Sequence, residues 1–309
     1  MSMINTGIFT GGNDKYIHFI INLLDSIINL NLNIPIYIID GGLSKNSISQ
    51  INLRNCKVLN YTKLDYLYKK DPKSKINILR LRINEIVDKY DLKIENIIWL
   101  DADTWVQTPE IFNICNNICK KGKLGIKSQS CRYDKKTIRY KNVIGNLCIL
   151  NNILYKNSKK INIKAKDSEI LKAAATLNSG VFCLPYKSSI WNTLKKWQEK
   201  IINDNGNLFS SDQLVIGCSV YIDNINYEIL PDNCNYFFGY SIRYSTKTNK
   251  FLEYYPPYNT ISVLHYCGID KFKENWFLRA VEDENDNKII KDIRFNKIDN
   301  FIVSNQFQK

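Results

Sequence analysis

Ile97-Ile98-Trp99-Leu100-Asp101-Ala102-Asp103 is the stretch on which the fold turns. Its first four residues form a continuous apolar run, too short for a helix and typical of a strand buried on both faces. Two carboxylates follow where that strand runs out. The segment before it, Ile76 to Tyr90, has helical periodicity in Ile78, Leu81, Ile83, Ile86 and Val87. Further upstream, Ile4 to Thr10 reads as a short apolar strand, broken by the turn-forming Gly11-Gly12-Asn13-Asp14 and followed by a helix from about Tyr16 to Leu30. Ile34 to Ile39 is the next strand, ending at Asp40-Gly41-Gly42, and a weaker strand lies near Val58. Strand, helix and strand in alternation predict an α/β fold, a parallel sheet covered by helices.

In such sheets ligands bind beyond the carboxyl ends of the strands. The residues to inspect are therefore Thr10 to Asn13, Asp40 to Gly42, and Asp101 to Asp103. Asp101 and Asp103, two apart, can point to the same side and offer oxygens to one hard divalent cation. A cation held by two carboxylates keeps positions open for phosphate oxygens, which is a diphosphate site in outline. An isolated Asp-x-Asp also occurs by chance or as a helix cap, so it needs company.

Composition narrows the field. The chain has 309 residues, 44% of them hydrophobic, enough for a packed core and against disorder as the main state. Its nine cysteines are odd in number and include no Cys-x-x-Cys pair, so neither a secreted disulfide framework nor a zinc ribbon fits, and a reducing, cytoplasmic setting is expected. No signal-like start and no apolar run of roughly 18 residues is present, which predicts a soluble protein without a transmembrane segment. With two histidines, His18 and His265, triads and multi-histidine cages are hard to build.

The net charge of +13 is unevenly placed. Between Ile111 and Lys172 stand 15 basic and three acidic side chains, which account for 12 of the surplus charges. Clustering of this kind reads either as a basic surface next to whatever the protein works on or as a solvated lysine-rich insertion. It carries no helix-turn-helix, zinc-finger or RNA-recognition signature, so nucleic acid is not an expected partner. The tail, Glu282 to Lys297, mixes charges of both signs and does not read as a polybasic membrane anchor.

Four more segments accompany the Asp-x-Asp in order: Leu177-Asn178-Ser179-Gly180-Val181, Ser211-Asp212-Gln213, Leu230-Pro231-Asp232-Asn233, and His265-Tyr266-Cys267-Gly268-Ile269-Asp270-Lys271. Together they resemble glycosyltransferase family 8, retaining transferases that use nucleotide sugars, over roughly Ile4 to Trp276. The resemblance implies a GT-A type fold, a Rossmann-like, mixed but mostly parallel sheet flanked by helices, in a single domain with a basic insertion. Residues 1–110 would be the nucleotide-binding half, 111–172 the insertion, 173–276 the sugar and acceptor half, and 277–309 a C-terminal tail.

By the same resemblance, Asp101, Asp103 and His265 would hold manganese, with magnesium as second choice, and Ala102 and Gly268 would line the donor site. Lys271 would meet the leaving diphosphate. Where the family usually continues Pro-Trp, this chain reads Phe272-Lys273-Glu274-Asn275-Trp276, which makes Lys273 a rival. Arg80 falls where the family places a donor-binding arginine, Tyr16 resembles a tyrosine that stacks on uracil, and Thr10 and Asp40 are the expected base and ribose contacts. Asn178, Asp212 and Gln213 match positions around the sugar, and Gly180 is expected to leave room for it. Asp212, Gln213 and Lys271 are the catalytic candidates, with no obvious covalent nucleophile among them. His18 is read as structural.

The implied reaction is transfer of a hexose, glucose first and galactose second, from a uridine diphosphate sugar to an acceptor hydroxyl with retained configuration. The acceptor would be a glycan, a lipid-linked molecule or a protein, anionic if the basic stretch borders the cleft, with peripheral membrane contact left open. Two other classes are compatible with paired aspartates: a metal-dependent phosphohydrolase or nuclease, and a non-catalytic sugar-nucleotide-binding protein.

Overall fold

The computed structural model describes residues 5–68, 71–129, 153–208, 211–267 and 277–295. Strand β1 (Thr6–Gly12) is buried along its whole length because it has neighbours on both edges and helices on both faces. Helix α1 (Ile17–Ile28) returns the chain to β2 (Ile36–Asp40), and α2 (Lys45–Asn52) to β3 (Lys57–Leu59). Both new strands run parallel to β1. The register sets Gly12 level with Asp40, so the turns that follow β1 and β2 lie side by side. Gly41 is required there: a Cβ would lie 2.6 Å from the Gly12 carbonyl oxygen. Asp14 locks the two turns by accepting from Ser44 N at 2.8 Å and Ser47 Oγ at 2.7 Å.

After α3 (Asp65–Tyr68), the helical period from Ile76 to Tyr90 resolves into α4 (Lys75–Leu79), a tight 3₁₀ turn at Arg80–Arg82, and α5 (Ile83–Lys89). The break follows from two buried arginines that face different partners: Arg80 turns toward the sheet end, whereas Arg82 donates to Gln198 at 2.6 Å and Glu85 at 2.9 Å. Strand β4 (Asn96–Leu100) is buried at every position, as its apolar run predicts, and pairs parallel with β1. The chain then folds back into β5 (Thr104–Val106).

Beyond β5 the structure departs from the expected domain plan. Helix α6 (Glu110–Lys120) and β6 (Leu124–Ser128) open the charge-rich stretch, yet β6 is a strand of the central sheet and α6 packs into the core beside it. Helices α7 (Ile153–Ser158) and α8 (Ala165–Ala173) bury Leu154 and Leu171 in the core. Strand β7 (Leu177–Pro185) runs antiparallel to both β4 and β6. Helices α9 (Ile190–Asn203) and α10 (Ser211–Tyr221) cover one face, and β8 (Tyr227–Ile229) ends the sheet, whose order is β3-β2-β1-β4-β7-β6-β8. It is mixed and mostly parallel, as expected.

Strands β9 (Tyr236–Phe237), β5 and β12 (Val263–His265) make a three-stranded sheet. Strands β10 (Ile242–Ser245) and β11 (Lys250–Glu253) join β13 (Leu278–Glu282) and β14 (Lys288–Asp292) in a four-stranded one. The segment expected as a tail thus contributes two strands, and Phe277, Val281 and Ile293 are buried in an aromatic core with Trp105, Tyr236 and Tyr266. Side chains alternate across β13, so Val281 is buried while Leu278 and Ala280 on the other face are exposed. Among the described residues no helix is long and apolar enough to cross a membrane.

Candidate active site

Three donor side chains converge where β4 ends. The Asp101 carbonyl accepts from Thr104 N at 3.0 Å and Thr104 Oγ1 at 2.8 Å, a tight turn that brings the carboxylates of Asp101 and Asp103 round to the same region. Strand β12 pairs antiparallel with β5 so that His265 stands opposite Thr104. One oxygen from each aspartate and one ring nitrogen of His265 lie within 4.8 Å of one another. His265 Nε2 is 3.5 Å from Asp103 Oδ1 and 3.9 Å from Asp101 Oδ2. Two carboxylates and an imidazole are a donor set that manganese or magnesium accepts.

The His265 ring is held from behind. Asn235 Oδ1 lies 2.8 Å from His265 Nδ1, and Asn235 Nδ2 donates to Asn178 Oδ1 at 2.9 Å. Asn178 Oδ1 also accepts from Gly180 N at 2.9 Å, so the side chain expected to hold sugar hydroxyls spends this oxygen on orienting the histidine. With Nδ1–H donated to Asn235, Nε2 is the ring nitrogen that faces the carboxylates. Gly180 has a different reason from the one expected: a Cβ there would overlap His265 Cε1 and come within 2.9 Å of its Nδ1. The glycine makes room for the imidazole.

Arg80 is the electrostatic centre of the opposite wall. Its Nη1 is 3.0 Å from Asp101 Oδ1 and 3.2 Å from Asp212 Oδ2, and it donates to Ser179 Oγ at 3.2 Å. Its guanidinium lies 5.3 Å from the Trp99 ring, and Trp99 Nε1 donates to the same Asp101 oxygen at 2.7 Å. Asp101 Oδ1 is thereby saturated and Oδ2 is left facing His265. Ser179 also donates to Asp212. Burial, aided by Asp103, raises the Asp101 carboxyl above the usual carboxylate range although Arg80 opposes it. Burial alone would depress His265, but Cys267 and Asp103 face it and raise it well above an ordinary imidazole. The His265 direction describes negative surroundings that favour a cation.

The remaining expected residues divide. Thr10 is fully buried, and among the described residues neither its Oγ1 nor Arg80 Nε has a hydrogen-bond partner. Asp40 is half-buried, with Oδ1 accepting from Gly42 N and Leu43 N at 2.8 Å each, so it shapes its own turn. Tyr16 is half-buried beside Phe19 at 6.0 Å, and Ala102 packs into the core beneath the loop. Gln213 is half-buried, one residue beyond Asp212 on α10. Gly268, Lys271 and Lys273 lie outside the described residues.

Four participants escape a reading of the sequence: Trp99, Ser179, Asn235 and Lys127. Asn235 stands two residues past the quoted Leu230–Asn233 segment and immediately before β9, a position that could have flagged it. The described part of the basic stretch is divided between the two ends of the sheet. Because β6 runs antiparallel to β7, Lys121 and Lys123 sit at the sheet end away from the carboxylates, where both pair with Glu228. Lys127, at the near end, is completely buried. Lys135, Lys136, Arg139 and Lys141 lie outside the described residues.

No protein-family model and no curated protein sequence matches the chain. Solved structures do. A crystal structure of the galactosyltransferase LgtC in complex with donor and acceptor sugar analogs aligns with a TM-score of 0.51 at 16% identity, over 85% of this chain and 87% of that one. Mouse xyloside xylosyltransferase 1 in its apo form aligns with a TM-score of 0.52 at 15% identity, over 85% of this chain and 98% of the other. The chain has the GT-A glycosyltransferase fold. The apo glycosyltransferase GlyE of Streptococcus pneumoniae TIGR4 shares it too, with a TM-score of 0.50 at 16% identity, over 87% of this chain and 56% of that one. In this GT-A frame the Asp101, Asp103 and His265 cluster stands at the carboxyl end of the sheet, where α/β folds bind ligands.

Proposed function

We propose that the protein is a metal-dependent hexosyltransferase of the family 8 type, which moves a hexose from a uridine diphosphate sugar to an acceptor hydroxyl with retained configuration. Glucose is the first choice of sugar and galactose the second, and the cytoplasm is the expected setting. The observation that carries this reading is the cluster of Asp101, Asp103 and His265 in a GT-A fold, with Arg80 buried behind it. A divalent cation held by these three residues would neutralise charge on the departing diphosphate.

The chain's own residues divide the remaining work. Arg80, fixed by Asp101, Asp212 and Trp99, supplies a buried positive charge beside the sugar phosphate. Asp212, bound by Arg80 and Ser179, is the buried carboxylate of the wall, with Gln213 next to it on α10. Lys271 is assigned to the leaving group. Attack by the acceptor from the leaving-group side needs no covalent nucleophile, so neither Asp212 nor Gln213 has to supply one. A two-metal phosphohydrolase would need a second acidic cluster, and the described residues contain only this one.

The test is incubation with labelled uridine diphosphate hexoses and manganese, with and without an acceptor panel and with a chelator control. Metal-dependent release of labelled hexose or its transfer is expected. Absence of both with every donor, in protein shown to be folded, would refute the reading.

A further inference from the structure

A fully buried lysine is costly unless it is paired, and Lys127 has its ammonium inside the protein beside the metal-binding cluster. A bulge between Ile126 and Lys127 shifts β6 against β7 and sets Lys127 level with Asn178, the residue that supports Asn235 and through it His265. The ammonium is 3.2 Å from Asp232 Oδ1, donates to the Ser128 carbonyl at 3.0 Å, and lies 5.0 Å from the Phe237 ring and 5.9 Å from the Tyr240 ring. Phe237 in turn meets the His265 ring edge-on at 5.6 Å.

Above this buried charge the surface opens. The Asp232 side chain is 27% exposed, Phe237 and Tyr240 are half-buried with ring centroids 5.4 Å apart, and a Cβ on the intervening Gly239 would meet nothing within 4 Å. Arg80 and Asp212 lie on the α10 side of the metal ligands, whereas this group lies on the β9 side, across Asn178 and Asn235. The two sides differ in kind: one holds the Arg80 guanidinium between Asp101 and Asp212, the other presents aromatic rings and one carboxylate over a buried ammonium.

We propose that Asp232, Phe237 and Tyr240 form the acceptor subsite, that its ligand is a neutral, hydroxyl-rich pyranose, and that Lys127 is the positioning residue that fixes Asp232. This rests on the glycosyltransferase reading and specifies its acceptor. A carboxylate accepts hydroxyl hydrogens, with its charge strengthening each bond, and aromatic faces cover the apolar C–H face of a sugar ring. An anionic sugar would meet the Asp232 carboxylate first, because the compensating ammonium is buried beneath it.

Methyl glucoside and methyl galactoside, with the matching methyl uronates, are the probes, assayed as acceptors with manganese and whichever uridine diphosphate hexose the wild type consumes. Neutral glycosides should be used in preference to uronates. Asp232→Asn and Lys127→Met should each raise the acceptor KM at least tenfold while the donor KM moves less than twofold, and Lys127→Arg should restore it to within threefold. Thermal unfolding verifies that each variant folds. If Lys127→Met does not, the exposed Asp232→Asn and Phe237→Ala carry the test with the same KM split. Preference for uronates, transfer to neither series, or an acceptor KM within twofold of wild type in Asp232→Asn would overturn the proposal while donor consumption persists. A wild type that consumes no nucleotide sugar at all would overturn the glycosyltransferase reading and this subsite with it.

Discussion

Asn235 and His265 are locked together by the 2.8 Å contact between Asn235 Oδ1 and His265 Nδ1, and both side chains are buried. That contact, 30 residues apart in sequence, selects the imidazole tautomer whose Nε2 faces the aspartates. Replacing Asn235 by Ala removes the acceptor and should weaken manganese binding about 10- to 100-fold, the usual cost of losing such a supporting partner. Titration calorimetry with manganese measures it, and affinity equal to wild type would show that the contact does not orient the ligand.

The same histidine gives the site a pH dependence. Its imidazolium is stabilised in the metal-free protein, so a cation must displace a proton, and below the raised pKa that displacement costs affinity. Manganese affinity should therefore rise with pH above the ordinary histidine range of about 6.5, with proton uptake by the buffer on binding. Calorimetry in buffers of different ionisation enthalpy reads the proton directly.

Asp103→Asn should abolish manganese binding and turnover while preserving the fold, because one of the three donor groups loses its charge. Full turnover in excess chelator would sink the metal assignment for wild type as well.

Gly180→Ala places a methyl group against the His265 ring. Overpacking of this kind costs about 1–3 kcal/mol. The melting temperature should fall accordingly, and manganese affinity should fall with it because the clash is with a metal ligand. Thermal unfolding with and without manganese separates the two effects.

Arg80→Met should be the most disruptive of the single changes. It leaves Asp101 and Asp212 without their shared cation, at a cost of about 3–5 kcal/mol for an uncompensated buried charge. Arg80→Lys should recover stability only in part, since an ammonium cannot both bridge two carboxylates and stack on Trp99 as a planar guanidinium does. Denaturant unfolding of the three proteins ranks them.

The thiols supply an independent check on burial. Burial pushes Cys56 up to about 11 and Cys218 up to about 12, so both remain protonated at pH 8. Iodoacetamide under native conditions should leave these two unmodified and label them only after unfolding. Rapid native labelling of Cys218, read by mass spectrometry, would contradict the packing of α10.

Local sequence determined the alternation of strands and helices, because burial on both faces imposes an unbroken apolar run such as Ile97 to Leu100 wherever it occurs. It also determined the ends of those strands, and with them Asp101 and Asp103, whose two-residue spacing is a local property of the backbone. Motif order, too, pointed to His265, which the fold brings beside both aspartates. What depended on tertiary packing was everything that connects distant residues. The helix expected from Ile76 to Tyr90 breaks at Arg80 because its charge meets Asp101 and Asp212, and neither partner is local. The stretch from Ile111 looked like an insertion by charge, yet β6 is a strand of the central sheet, since a charge count along the chain does not report which end of a strand a lysine occupies. Gly180, Asn235 and Lys127 acquire their roles only through partners brought together by β7, β9 and β12. Spacing along the chain fixes what neighbours within a few residues can share, whereas which buried polar groups satisfy one another is set by the packing of the whole molecule.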